Sequence, residues 1–152
     1  MKLNLGASDR AIPGFLSVDI APPADMIADL SQPWPWFTSS VDEVVAFDVI
    51  EHIEDRIHFM NELHRTLKPG AVATIEVPNA TKGSGFAQDP THKSQWCINS
   101  WQYFEAGSYA HNRLARSYGI TAAFRILELS ESEYRDVREP VFKIRVVLSA
   151  VK

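Results

Sequence analysis

A short apolar segment flanked by acids, Asp42-Glu43-Val44-Val45-Ala46-Phe47-Asp48, decides the fold of this chain. Four consecutive apolar residues between carboxylates are typical of a strand buried on both faces of a parallel sheet. Downstream, apolar residues recur at steps of three and four positions, which predicts an amphipathic helix stopped by Pro69-Gly70. The apolar positions of this helix are Ile50, Ile53, Ile57, Met60, Leu63 and Leu67. The apolar segment from Ala71 to Val77 follows as the next strand.

Three further strands are predicted before this unit. Leu3 to Leu5 forms a short apolar strand closed by Gly6. The segment from Phe15 to Ile20 is bounded by proline and glycine and reads as a second strand, and residues 25–30 are a weaker candidate. Strands that alternate with helical patterns favour an α/β sheet.

The end of the chain predicts a different pairing. Two segments rich in β-formers, 123–131 and 141–151, are joined by too few residues for a helical crossover, so they are expected to pair antiparallel. Shorter helical stretches are expected after Ser100 and over 109–118. The predicted fold is therefore a Rossmann-like, doubly wound, mostly parallel α/β sheet with an antiparallel closing strand.

Length and composition limit the classes of function. The 152 residues predict one domain, 1–152, with 45% hydrophobic residues and a net charge of −4, which disfavours nucleic-acid partners and anionic membranes. No apolar run approaches the length of a membrane span, and no secretory signal is visible, so a cytoplasmic protein is expected. The single cysteine, Cys97, excludes an internal disulfide and a zinc cluster built on cysteines.

Candidate ligand positions follow from the topology, because ligands of such sheets bind outside the carboxyl ends of the strands. Gly6 allows close approach of the backbone to a ligand. Asp19 can accept two hydrogen bonds from the vicinal hydroxyls of a ribose, so the pair indicates a nucleoside-binding edge. A single glycine does not meet the dinucleotide fingerprint, which disfavours a nicotinamide-dependent oxidoreductase.

Several segments, in order, carry a resemblance to a known family. They are Leu3-Asn4-Leu5-Gly6-Ala7-Ser8, Gly14-Phe15-Leu16-Ser17-Val18-Asp19, Asp29-Leu30, Val41-Asp42-Glu43-Val44, Glu51-His52 and Leu67-Lys68-Pro69-Gly70. The chain resembles the class I S-adenosylmethionine-dependent methyltransferases from about residue 2 to residue 78. The branch it is most similar to is the small-molecule, methyltransferase type 11-like one. It looks like a minimal form that lacks the usual N-terminal helices.

The resemblance implies S-adenosylmethionine as cofactor and S-adenosylhomocysteine as product. It places Gly6 beside the amino-acid end of the cofactor, Asp19 at the ribose, and Asp29 with the backbone of Leu30 at the adenine. Asp48 and Val49 are expected near the methionine portion.

Two departures from the family pattern concern the same end of the cofactor. Asn4 stands where many relatives have an acid that anchors the amine. Ala7-Ser8-Asp9 replaces the usual Cys-Gly-x-Gly, so the tight approach of the loop to the cofactor is in question. Asn4, Ala7 and Ser8 are nevertheless expected at the cofactor.

The candidate catalytic residues are His52, His92 and Asp89. Histidine can act as a general base near neutral pH. Glu51 and His52 are predicted at the start of the helix, where they either face the cleft or only cap the helix. Asp89-Pro90-Thr91-His92 lies in a long loop over 79–99, and relatives often carry a similar Asp-Pro-x-His near the methyl-transfer centre. The alternative is an exposed loop tetrapeptide.

No metal site is expected from His52, His58 and His64, because steps of six residues rotate by about 240° and separate their faces on a helix. Whether a metal joins Asp89, His92 and His52 is left open. The four tryptophans are expected in the core more than on a ligand.

Two functions remain after these arguments. The first is methyl transfer to an unidentified small-molecule acceptor, with no nucleic-acid or membrane partner. The second is a non-catalytic, methyltransferase-like binding module. In either case the missing helices predict an open cofactor cleft, closed by the 79–99 loop or by a second subunit in a homodimer.

Overall fold

A central sheet organises the computed structural model, which describes residues 1–135 and 138–152. Within these residues the sheet has seven strands. They are β1 (Lys2–Leu5), β2 (Leu16–Asp19), β3 (Met26–Ile27), β4 (Val41–Phe47), β5 (Leu67–Gly83), β6 (Phe124–Arg135) and β7 (Pro140–Ala150). The helices are α1 (Arg56–Thr66) and α2 (Tyr109–Leu114), with 3₁₀ turns at Ile50–His52, Ile98–Tyr103 and Arg116–Tyr118.

The strand order is β3-β2-β1-β4-β5-β7-β6. The pairs β2–β3, β1–β2, β1–β4 and β4–β5 are parallel, whereas β7 pairs antiparallel with both β5 and β6. The predicted Rossmann-like α/β fold with an antiparallel closing strand is confirmed. Because β1, β2 and β4 run in the same direction, Gly6, Asp19 and Asp48 all lie at one edge of the sheet.

The core forms where the apolar runs predicted it. Val44 and Ala46 in β4 are fully buried, and α1 packs Phe59, Met60 and Leu63 into the same core. All four tryptophans are at most 6% exposed, which confirms their place in the core. Burial of large aromatic side chains removes the most apolar surface from water per residue.

The predicted start of the helix at Ile50 is wrong. Residues Ile50–His52 form a separate 3₁₀ turn, and Ile53 is extended with φ −92° and ψ 121°. The helix begins only after Asp55, whose carboxylate accepts a hydrogen bond of 2.8 Å from the amide of His58. An N-cap of this kind satisfies an otherwise unpaired amide of the first turn. Glu51 and His52 are therefore outside α1.

The segments that follow also have bounds that differ from the predicted ones. The helix ends at Thr66, because Leu67 is already extended and pairs with Val41. The strand predicted over 71–77 thus runs from Leu67 to Gly83, and the predicted 79–99 loop begins as strand. The helical stretch over 109–118 divides into α2 and a 3₁₀ turn, and the weak strand over 25–30 shrinks to β3.

Across the residues described, no helix combines the length and the hydrophobicity that a membrane crossing needs.

Candidate functional site

A cleft of about 440 Å³ opens at the carboxyl edge of the sheet, and we call it the first cleft. This volume lies in the usual range of about 300–1,000 Å³ for small-molecule sites. Seven of the nine residues predicted to contact the cofactor line it, together with His52. These seven are Gly6, Ser8, Asp19, Asp29, Leu30, Asp48 and Val49.

Gly6 fixes the floor of the first cleft through its lack of a side chain. Its φ is +63°, and a Cβ at this position would lie 2.4 Å from Cγ2 of Val49. Such a contact is far inside van der Waals distance, so the backbone after β1 can approach the segment after β4 only with glycine here. Packing against Val49 therefore requires glycine at position 6, in addition to any requirement set by a ligand.

The loop after β1 is tied to Asp19. The amide of Ser8 donates a hydrogen bond of 2.8 Å to Oδ2 of Asp19, and the amide of Ala21 donates one of 3.3 Å to Oδ1. Ser8 has φ +49°, although it stands where the family pattern has glycine. The loop thus keeps the left-handed conformation without the second glycine, at a cost of about 1–2 kcal/mol.

Asn4 and Ala7 are buried instead of lining the cleft, at 4% and 2% exposure. Nδ2 of Asn4 donates to the carbonyl of Arg10 at 2.7 Å, and the amide of Ala7 donates to the carbonyl of Val18 at 3.1 Å. Both residues hold the loop from behind. Their contact with a cofactor stays a prediction.

Asp29 turns one carboxylate oxygen toward its own loop. Oδ1 accepts from the amide and the hydroxyl of Ser31, at 2.9 and 2.7 Å, and these bonds lower the pKa of Asp29. Leu30 is held by its carbonyl, which accepts from Nε1 of Trp34 at 3.1 Å. The buried aromatic loop therefore anchors this wall of the first cleft.

A second cleft of about 200 Å³ adjoins the first and shares Asp48 and His52 with it. Residues of the 3₁₀ turn after β4, of β5, of the loop after β5 and of β7 complete its lining. These are Glu51, Pro78, Gly85, Gln88, Asp89, His92, Val141 and Lys143. The structure thus brings the three predicted catalytic residues, His52, His92 and Asp89, together in one cleft.

Glu51 is the most unusual group of the second cleft. It is 1% exposed, and among the described residues neither of its side-chain oxygens has a hydrogen-bond partner. Burial raises the pKa of Glu51 to about 8, against the opposing effects of its own backbone amide and of the charge of Lys143, while the charges of Asp48 and Asp89 add to the rise. Nε2 of His92 lies 3.9 Å from Oε1 of Glu51.

The two histidines are held in a defined tautomer by their neighbours. Nδ1 of His92 lies 2.9 Å from the carbonyl oxygen of Phe86, which can only accept, so Nδ1 carries the hydrogen. The hydroxyl of Thr91 donates to Oδ1 of Asp89 at 2.7 Å and lies 3.0 Å from Nδ1 of His52. Its single hydrogen is used on Asp89, so it accepts from His52. Each neutral ring therefore carries its lone pair on Nε2.

A lysine that the sequence analysis missed closes the other side of the second cleft. Nζ of Lys143 lies 2.6 Å from Oδ2 of Asp48 and 3.4 Å from Oε1 of Glu76. Burial lowers the pKa of Lys143, but the hydrogen bond and charge of Asp48 outweigh it, so the net pKa is raised. The register of β5 and β7 places Lys143 opposite Pro78. Strand pairing was predicted, but its register was not, so the residue gave no signal.

The loop after β5 is fixed by main-chain contacts to the 3₁₀ turn. The carbonyl of Glu51 accepts from the amides of Lys93 and Ser94, at 2.7 and 2.9 Å. The hydroxyl of Ser94 donates to the carbonyl of Ile50 at 2.9 Å. These bonds place His92 directly against Glu51. The predicted loop tetrapeptide is therefore part of the site's wall.

Comparison with known proteins adds an independent observation. A sequence model of the methyltransferase domain family, described as "Methyltransferase domain", matches residues 8–125. A protein of Mycolicibacterium smegmatis named "Probable S-adenosylmethionine-dependent methyltransferase" is 49% identical over 41 residues. That segment covers 27% of this chain and only 16% of the relative's length.

Two solved structures show the same fold. A SAM-dependent methyltransferase from Methanosarcina mazei superposes with a TM-score of 0.68 at 13% identity, over 99% of this chain and 92% of that one. Another from Archaeoglobus fulgidus gives a TM-score of 0.66 at 13% identity, over 97% and 85% of the two chains.

Proposed function

Because the chain belongs to the methyltransferase domain family, whose cofactor is S-adenosylmethionine, we propose that it transfers a methyl group to a small-molecule acceptor. The observation that carries the proposal is the pair of adjoining clefts that share Asp48 and His52. A reaction between two bound molecules needs two sites that meet, and the shared residues mark the meeting point. The small volume of the second cleft favours a small acceptor.

The residues of the first cleft fit a nucleoside cofactor. Each oxygen of the Asp19 carboxylate accepts one hydrogen bond from a backbone amide, and each keeps a further lone pair that can accept a hydrogen bond from a ribose hydroxyl. Asp29 and Leu30 are proposed to border the adenine, and Gly6, Ser8, Asp48 and Val49 the amino-acid end. Asn4 and Ala7 are proposed to act from behind, by holding the loop that carries Ser8.

The chemistry supplied by bound S-adenosylmethionine is a methyl group already activated on a sulfonium. The protein's share is positioning of the acceptor and removal of its proton. His52 or His92 is proposed as general base, since each has its Nε2 lone pair free. Asp89 is a positioning residue, because it fixes His52 through Thr91.

The proposal is tested first at the cofactor. Asp19→Ala is expected to weaken binding of S-adenosylmethionine by about 10–100-fold in calorimetry, since hydrogen bonds to charged groups contribute about 1.5–3 kcal/mol. Asp9→Ala removes a carboxylate from the loop after β1, outside the first cleft, and it serves as the control. Equal affinity in wild type and Asp19→Ala would show that the site assignment is wrong.

Transfer itself is tested with methyl-labelled cofactor and a small-molecule extract, with labelled products read by mass spectrometry. Wild type is expected to label a product, and the double variant His52→Gln, His92→Gln is expected to label far less. Cofactor binding without any labelled product would favour the non-catalytic binding module instead.

A further inference from the structure

We infer that Glu51, His52 and His92 form a binding site for a divalent transition-metal ion in the wall of the second cleft. Each of the three side chains offers one ligand atom, and these atoms lie within 4.8 Å of one another. The set of two imidazoles and one carboxylate is the one that Zn²⁺, Mn²⁺ and Fe²⁺ use when a coordination position stays open. The proposal goes beyond methyl transfer and does not depend on it.

The unpartnered carboxylate is the first reason to expect an ion here. Glu51 is 1% exposed, and neither of its oxygens accepts a hydrogen bond from the described residues. An isolated ionised carboxylate is strongly unfavourable in a buried site, so such a group either takes up a proton or is paired with a cation or metal ion. Lys143 is engaged by Asp48 and Glu76, and Nε2 of His92 lies 3.9 Å from Oε1 of Glu51, beyond hydrogen-bond distance. A bound cation would satisfy both oxygens.

The orientation of the histidines is the second reason. Phe86 and Thr91 engage Nδ1 of His92 and of His52, which leaves both Nε2 lone pairs available. Metal-binding histidines almost always donate their other ring nitrogen to a carbonyl, carboxylate or similar acceptor, as both do here. The Asp89 carboxylate supports His52 through Thr91 as an outer partner. The rings lie edge to face, with centroids 4.8 Å apart.

The distances allow binding after a small adjustment. Two ligands of one ion lie at most about 4.2 Å apart at a bond length of about 2.1 Å. The cluster must therefore contract by only about an ångström, and rotation of His52 and His92 can provide this. The 3₁₀ turn and the loop after β5 are already joined by the two hydrogen bonds to the carbonyl of Glu51.

An ion at this place would face the second cleft. If the proposed function holds, an oxygen of the acceptor would complete its coordination, and the ion would lower the pKa of that acceptor group so that its proton passes to solvent water. The two imidazole lone pairs would then be used by the ion, so the general-base role of the histidines would apply to the metal-free protein only.

The test is direct binding of Zn²⁺ and Mn²⁺ to protein without a histidine tag, after dialysis against a chelator and without cofactor. We expect one ion per chain in calorimetry and by elemental analysis. Glu51→Gln and His92→Gln are each expected to weaken binding by more than about 100-fold, since loss of even an outer partner costs about 10–100-fold. His58→Gln is the matched control, because His58 lies on α1 outside both clefts, and it should bind as wild type does.

Circular dichroism of each variant shows whether a loss of binding reflects unfolding, and Mn²⁺ paramagnetic resonance reports nitrogen ligands in the folded wild type. No binding of either ion to wild type, or equal binding in Glu51→Gln and His92→Gln, would overturn the site. The two proposals are tested apart in Asp19→Ala, which is expected to lose cofactor binding and to keep metal binding. A failure of the metal site therefore leaves the cofactor result unaffected, and the reverse also holds.

Discussion

In the first cleft the carboxylate of Asp19 accepts two main-chain hydrogen bonds, whereas in the second cleft the carboxylate of Glu51 accepts none from the described residues. Both groups follow parallel strands of the same sheet, and the clefts share Asp48 and His52. The carboxylates of Asp19 and Asp29 in the first cleft thus have partners within the chain. In the second cleft both oxygens of Glu51, and Oδ1 of the shared Asp48, have no hydrogen-bond partner among the described residues, and such groups mark where chemistry is expected.

The largest effect is expected from breaking the floor of the first cleft. Gly6→Ala places a Cβ against Val49 at φ +63°, and both the backbone conformation and the overlap are unfavourable. We expect a loss of about 2–5 kcal/mol in the free energy of unfolding, measured by urea denaturation. Ser8→Ala is the control, since Ser8 already carries a Cβ at positive φ. Val49→Gly should recover part of the loss, because it removes both Cγ2 and the Cβ of Val49, which would lie 2.6 Å from the new methyl group. No recovery would show that packing against Val49 is not the cause.

A smaller effect is expected from loosening the second cleft. Thr91→Val keeps the shape of the side chain but removes the hydroxyl between Asp89 and His52. Affinity for Zn²⁺ should fall by about 10–100-fold in calorimetry, as for other outer partners of a metal ligand. Thr81→Val is a close control, because the amide and the hydroxyl of Thr81 both donate to Oδ1 of Asn79, outside both clefts. Equal losses in the two variants would point to general destabilisation of the loop.

The smallest effect concerns acidity away from both clefts. Burial lowers the pKa of His64, with the charges of Lys152 and His111 acting in the same direction. The unfolded chain therefore binds the proton more readily, so stability is lost as pH falls from about 6.5, and the loss is absent above that pH.

One proton limits the slope of this loss to about 1.4 kcal/mol per pH unit. His64→Gln should therefore flatten the pH dependence of the free energy of unfolding between about pH 6.5 and 5, measured by urea denaturation at each pH. If the slope persists in His64→Gln, titratable groups other than His64 account for the acid response.

The sequence was sufficient for the sheet because its signals are local. Apolar runs such as that of β4, and the short link between β6 and β7, determine the strands and their directions. The start of α1 was misplaced because periodicity continues through Ile50 and Ile53, although the cap at Asp55 decides where hydrogen bonding begins. Local apolar spacing does not distinguish a 3₁₀ turn from the first turn of a helix.

The site was predicted unevenly for a physical reason. Strand-end residues such as Asp19 follow from topology, and the structure places them in the first cleft. Lys143 and the isolation of Glu51 depend on register and on how the loop after β5 returns to the 3₁₀ turn. These are long-range relations, and no motif in one sequence encodes them. Glu51 was noted only as the neighbour of His52, and its burial was not foreseen.

The main chain of Glu51 anchors a loop, and its side chain takes no part in that anchor. Its carbonyl secures the loop after β5 through Lys93 and Ser94, so this anchor survives replacement of the side chain. A library that varies Glu51 and Gln88 therefore explores the second cleft while the anchor and the first cleft keep their shape. The fold separates the part of the pocket open to diversification from the part that must stay constant, which makes the chain a suitable starting point for directed evolution.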